Sequence, residues 1–202
     1  QVLVGVDPLQ ARSLRIANAG TEPTPVTVQA IGAQSVTELG GTDGLSIQAL
    51  GVFDIDVSGL PEDTLGLVVR ADQPVAAAVQ QEAVGTAFPE DPALDVGLRS
   101  FVSGAGVLTL AAAPSLGALQ GLAQAAGFTD LTAELVLVNP QAEATEVQVG
   151  GAPLRLAELS ALTVPLTDPS DGAVRVEAGA PIHAALVVRA TGPAGRMVAL
   201  SP

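Results

Sequence analysis

The sequence predicts an all-β chain: two tandem Ig-like antiparallel β-sandwich domains joined by a short helical or irregular linker. Three observations carry this. Apolar residues alternate with polar ones along much of the first hundred residues, as Val26/Val28 against Thr27/Gln29 and Phe53/Ile55/Val57 against Asp54/Asp56/Ser58, which is the period of half-buried strands. Turn residues fall between these runs at Asp7-Pro8, Gly20-Thr21-Glu22-Pro23, Gly40 to Gly44, Gly59 to Asp63 and Asp72-Gln73-Pro74, and short strands at that spacing read as a sandwich. The pattern then recurs. Leu14-Arg15-Ile16-Ala17-Asn18 with Val26-Thr27-Val28 aligns without a gap to Leu135-Val136-Leu137-Val138-Asn139 with Val147-Gln148-Val149, so the fold question is the shape of one unit.

Asn18 and Asn139 are the chain's two asparagines. Each ends a strand, where a short amide accepts left-handed geometry or closes an Asx turn. Downstream, Leu67-Val68-Val69-Arg70-Ala71 followed by Pro74-Val75-Ala76-Ala77-Ala78-Val79 aligns with Val174-Arg175-Val176-Glu177-Ala178 followed by Pro181-Ile182-His183-Ala184-Ala185-Leu186. Pro74 and Pro181 mark the same turn, where a fixed φ and a missing donor are tolerated. Phe53-Asp54-Ile55 matches Leu162-Thr163-Val164. A rival register pairs Leu67 to Ala71 with the identical Leu186-Val187-Val188-Arg189-Ala190, at the cost of the strand-turn-strand order that the first register keeps. The preferred register leaves the second copy without most of what lies between Ala30 and Leu50, so an extra hairpin is expected in the first.

The repeat divides the chain into a first sandwich at 1–113, a linker at 114–128 and a smaller second sandwich at 129–202. Two cores suit 202 residues at 48% apolar content, since domains commonly run to about 100–150 residues. In the linker, Leu116, Leu119, Leu122, Ala123 and Ala126 share a helical face, with Ser115 as N-cap and Gly127 at C′. Gly117 and Gly121 weaken that short helix by about 1 kcal/mol each.

Composition narrows function. The net charge is −13, and so acidic a surface repels phosphate backbones and anionic headgroups, which excludes nucleic acid and direct membrane-surface binding as expected partners. No run approaches the roughly 18 apolar residues of a bilayer span. Cys, Trp and Tyr are absent and all eight basic residues are arginines, which removes disulfides and thiolate metal sites and suits a GC-rich genome. The chain begins at Gln1 rather than Met, as a processed product would, with any signal peptide or anchor upstream.

Candidate chemistry is sparse. His183, the single histidine, alternates away from Ile182 and Ala184 and so reads as a solvent-side or edge residue. It has neither a nucleophile nor an orienting acid beside it. Asp54 and Asp56 share the polar face of one strand, where a pair could hold Ca²⁺ or serve as acid and base in glycoside hydrolysis, although solvation of an outer face explains them equally. Asp168-Pro169-Ser170-Asp171-Gly172 and Glu90-Asp91-Pro92 have turn chemistry. No glycine run joins a Lys into a phosphate loop, and there is no Gly-x-Ser-x-Gly elbow. Of the four aromatic residues, Phe53, Phe88, Phe101 and Phe128, Phe53 is expected in the core, leaving little for a sugar-stacking platform. Arg15, Arg70 and Arg175 are expected to face outward and relieve acidic repulsion. Neither asparagine is a glycosylation acceptor, since Gly20 and Gln141 stand two positions on. No catalytic residue, cofactor site or metal site is assigned.

The unit hydrophobic-x-hydrophobic-x-Asn, then Val-x-Val, then Val-x-Ala-x-x-Pro-(Val/Ile)-x-Ala-Ala, resembles secreted or membrane-anchored actinobacterial envelope proteins of unknown function built from tandem Ig-like β-sandwich modules. The likeness covers Leu14–Val79 and Leu135–Leu186 and is closest at Leu135-Val136-Leu137-Val138-Asn139-Pro140. The first copy departs from it with Ala19-Gly20 in place of the proline. The resemblance implies an extracytoplasmic setting and transfers no catalytic residue. The expected function is a non-catalytic interaction or scaffold module in cell-envelope assembly, with an envelope or membrane protein as partner. A glycan-binding or adhesive module is the alternative, followed by a hydrolase built on a carboxylate pair.

Overall fold

The computed structural model describes residues 1–81, 107–110, 130–166, 174–192 and 195–201, so the linker at 114–128, Phe88, Phe101, Phe128 and the acidic turns at 90–92 and 168–172 lie outside the described residues. Those described form strands and turns, with no helix among them. The first module comprises β1 (Val2–Val4), β2 (Ala11–Asn18), β3 (Thr24–Gly32), β4 (Val36–Glu38), β5 (Ser46–Ile47), β6 (Val52–Asp56), β7 (Thr64–Ala71) and β8 (Val75–Gln81). The second comprises β9 (Val107–Leu110), β10 (Asp130–Asn139), β11 (Thr145–Val149), β12 (Ala152–Leu156), β13 (Ser160–Pro165), β14 (Val174–Ala178), β15 (His183–Gly192) and β16 (Gly195–Ser201).

Each module is a sandwich of two antiparallel sheets. In the first, β1-β7-β3-β4, with β5 also on β3, faces β6-β2-β8; in the second, β12-β11-β14-β9 faces β13-β10-β15-β16. Strand for strand the orders are the same, with β16 added. The pairing of B with E and C with F strands seen in immunoglobulin sandwiches is kept by β2 with β6 and β3 with β7, while the terminal strands exchange edges, β1 lying on β7 and β8 on β2. Although β9 falls before residue 113, it pairs with β14 and belongs to the second sandwich.

Alternation fills both cores. Leu14, Ile16, Val26, Val28, Ile55, Leu67 and Val69 meet in the first, and Leu135, Leu137, Val147, Leu156, Val176 and Leu186 in the second. The registers follow the preferred alignment: Ile16 opposes Phe53 as Leu137 opposes Leu162, and Val28 opposes Val69 as Val149 opposes Val176. Phe53 departs from expectation. It stands on an edge of its sheet and is 42% exposed, outside the core, because β2 is the one sheet neighbour of β6 among the described residues. The residues between Ala30 and Leu50 likewise do not make a separate hairpin. They lengthen the β3–β4 turn and split one edge strand into β4 and β5, both on β3, around a loop in which buried Thr42 donates its hydroxyl to Leu39 O at 2.7 Å.

A third apolar cluster joins the modules. Val2, Val4, Ile31 and Val68 on the outer face of β1-β7-β3 pack against Val136, Val138, Ala161, Ala185 and Val187 on the outer face of β13-β10-β15. This explains the unbroken apolar runs Leu67-Val68-Val69 and Leu135-Val136-Leu137-Val138: strands covered on both faces need apolar residues at every position. Close approach is enabled by Gly66, where an added Cβ would stand 2.8 Å from Val138 Cγ2 and 3.0 Å from Leu3 O.

Candidate functional site

The site with the most unusual physical character is an apolar ledge at the end of β2, and Asn18 positions it. Buried Asn18 accepts a hydrogen bond at Oδ1 from Gly20 N (2.8 Å) and donates from Nδ2 to Glu22 O (2.8 Å), Ile47 O and Gln48 O (both 3.1 Å). Its backbone N–H donates to Gly51 O at 2.9 Å, while Leu50 N donates to Gly20 O at 3.3 Å. Asn139 repeats the clasp: Oδ1 accepts from Gln141 N (3.0 Å), Nδ2 donates to Glu143 O (2.8 Å) and Ala157 O (2.7 Å), and Leu159 N donates to Gln141 O at 2.8 Å. Such a buried amide is tolerated because its polar atoms are satisfied.

The clasp holds the residue that enters the next strand in the left-handed region, Leu50 at φ 56° and Leu159 at φ 42°. An L-residue there costs about 1–2 kcal/mol, which glycine or asparagine would avoid or reduce. In the first module the strained leucine is also 76% exposed, and Val52 (58%) and Phe53 follow it along β6. Strain combined with exposed apolar area points to a surface selected for contact. Beside the ledge, Arg15 Nε and Nη2 donate to Asp54 Oδ1 and Oδ2, both at 2.7 Å. The Arg15 hydrogen bond holds the Asp54 carboxyl below its ordinary range. Asp56 accepts from Ser58 N at 2.9 Å and is lowered by that bond. The two acids are thus engaged separately, one by a guanidinium and one by its own turn. Among the described residues no group of three or more His or acidic side chains is placed to hold a metal.

The remaining candidates are scattered. Arg15, Arg70 and Arg175 are all exposed; Arg175 pairs with Glu177, and Arg70 Nη2 reaches across the modules to Pro140 O at 3.2 Å. That last contact closes one side of a cleft of about 540 Å³ lined by Gln1, Arg70, Gln73, Pro74, Pro140 and Gln141 among others. His183 alternates away from the core as expected and is half-buried, on the face that Ala185 and Val187 turn toward the first module. Burial pushes its pKa down, and its Nδ1 is buried without a hydrogen-bond partner. A structural pair that the sequence reading passed over is Thr24 and Thr145, each buried six residues after an asparagine. Thr24 Oγ1 accepts from Asp72 N and Gln73 N, both at 3.1 Å, and so anchors the turn before Pro74. Its recurrence in both copies was the available signal.

Residues 1–115, which contain the ledge and its clasp, match a family described as a family of unknown function, DUF5719. The chain belongs to that family. Membership in DUF5719 brings no activity with it, so function has to be argued from the site. No curated protein matches the chain. Among solved structures a likeness is found to the crystal structure of a lectin from Pleurotus ostreatus in complex with GalNAc, at 11% identity and a TM-score of 0.23, covering 100% of this chain and 74% of the lectin. A likeness that low carries no argument about the DUF5719 chain's fold or ligand.

Proposed function

We propose that this chain is a non-catalytic protein-interaction module whose two sandwiches form a scaffold presenting the Leu50–Val52–Phe53 ledge to a protein of the cell envelope. The observation that carries the reading is Leu50 itself, a leucine held at positive φ with its side chain 76% exposed. A turn of this geometry favours glycine or asparagine, so a leucine kept there at an energetic cost implies that its side chain is used. Among the described residues β6 is an edge strand, and an edge of that kind suits an incoming polypeptide. The extracytoplasmic setting rests on the resemblance of the Leu135–Pro140 motif to envelope proteins. The test is a crosslinking pull-down from an envelope fraction with the full chain and its Val52→Asp variant: recovery of a protein by the wild type and not by the variant supports the reading, and equal recovery or none defeats it.

A further inference from the structure

The second module shows what covers such a face. Position by position, Ala17, Val52 and Ala78 on the outer face of β6-β2-β8 correspond to Val138, Ala161 and Ala185 on the outer face of β13-β10-β15. The latter three are buried under the aliphatic outer face of β1-β7-β3. The cross-strand neighbours Ala17 and Val52 exchange identities with their counterparts Val138 and Ala161. One valine and one alanine are therefore kept side by side with the volume conserved, the kind of change a packed contact tolerates. Ala78 and Ala185 are identical. Farther along, Arg15 stands where the second module has Val136 and Gln80 where it has Val187, so the match is confined to the end of the face beside the asparagine clasp.

We infer that this end of the β6-β2-β8 face, with the ledge as its rim, docks the aliphatic outer face of a β-sheet in a partner protein's sandwich module, in the manner the second module uses within the chain. The inference rests on the protein-interaction reading and names the partner's chemistry: branched aliphatic side chains at alternate strand positions opposite Ala17, Val52 and Ala78, and a hydrogen-bonding group opposite the Arg15–Asp54 pair. A second copy of this chain does not fit. Its own face of that kind is already covered by its second module, and the corresponding face of the second module carries Glu146, Arg155, Arg175 and Glu177.

The test places a photo-crosslinking benzophenone amino acid at position 52 of the full chain in the cells that make it, with position 146 on the charged opposite face as control, and sequences the joined peptide. The expected product is a peptide from a strand of a sandwich module in another protein, with Val, Ile or Leu at alternate positions. Its yield should fall about tenfold with Ala76→Arg, a change on the exposed surface of β8 beside the ledge; a loss of about 1.4 kcal/mol in affinity gives that factor. A joined peptide from a helix, a loop or a second copy of this chain overturns the inference while leaving the protein-interaction reading standing. Absence of any joined protein defeats both.

Discussion

Gly66 and Val138 meet in the contact between the two modules, with 2.8 Å between Val138 Cγ2 and the point a Cβ on Gly66 would occupy. The glycine cannot retreat, because β7 is paired to β1 on one side and β3 on the other and Leu3 O lies 3.0 Å from the same point. Gly66→Ala should therefore destabilise the chain by about 1–3 kcal/mol through overpacking. Val138→Ala alone should cost about 2 kcal/mol for its buried methyls and the cavity left behind. Denaturant melts of the double variant check the contact: the two losses should add to less than their sum, since the second change makes room for the first.

Asn139→Ala should cost about 2–4 kcal/mol, because it removes the donor to Glu143 O and Ala157 O and the acceptor for Gln141 N inside a buried turn. Asn139→Asp should recover little of this. A carboxylate restores the acceptor but turns a second oxygen toward two carbonyls. Equilibrium unfolding of the two variants decides the point.

Leu50→Asn should leave stability unchanged or raise it by up to about 1 kcal/mol, since asparagine accepts the left-handed backbone at lower cost. On the proposed function, the same variant should lose capture of the partner protein. Opposite movement of melting temperature and pull-down yield is the signature of a strained residue kept for binding.

His183 and Asp63 contribute to the acid limb of stability in separate windows, Asp63 alongside the exposed Asp54 and Asp56. Burial lowers the pKa of His183 from 6.5, so below that value the unfolded chain binds a proton that the folded chain resists, and stability is lost as pH falls from about 6.5 toward the lowered pKa. Asp63, lowered from 3.8 chiefly by the Ser35 hydroxyl (2.7 Å) with Gln34 N also donating, contributes stability that is present above 3.8 and disappears as pH falls through its depressed value. His183→Gln should flatten the upper window and Asp63→Asn the lower. Thermal melts from pH 7 to pH 2 separate them.

The sandwich was legible because its strands alternate, and the two-copy register because Asn18 and Asn139 fall at matching strand ends. What the strand pattern did not disclose was the seam between modules. Val68, Val136 and Val138 broke the alternation, but an isolated apolar run reads as an ordinary strand until a second face is known to cover it. Phe53 misled for the converse reason: its parity points to the core, and only the sheet order places it on an edge. The ledge was hidden in backbone geometry, since nothing in Ala49-Leu50-Gly51 reveals that the leucine rather than the glycine takes the positive φ.

The contact between the modules joins unlike faces, β1-β7-β3 of one to β13-β10-β15 of the other, and this gives the pair a direction. Each copy has been made apolar on a different side, and each keeps charge on the side its sibling has buried. Reversing their order would place Arg175 where Val68 now stands and Arg15 where Val136 stands, burying two ion pairs with Glu177 and Asp54 in a dry seam at a desolvation cost. The halves share one pattern but are not interchangeable parts: the chain is coupled one way only.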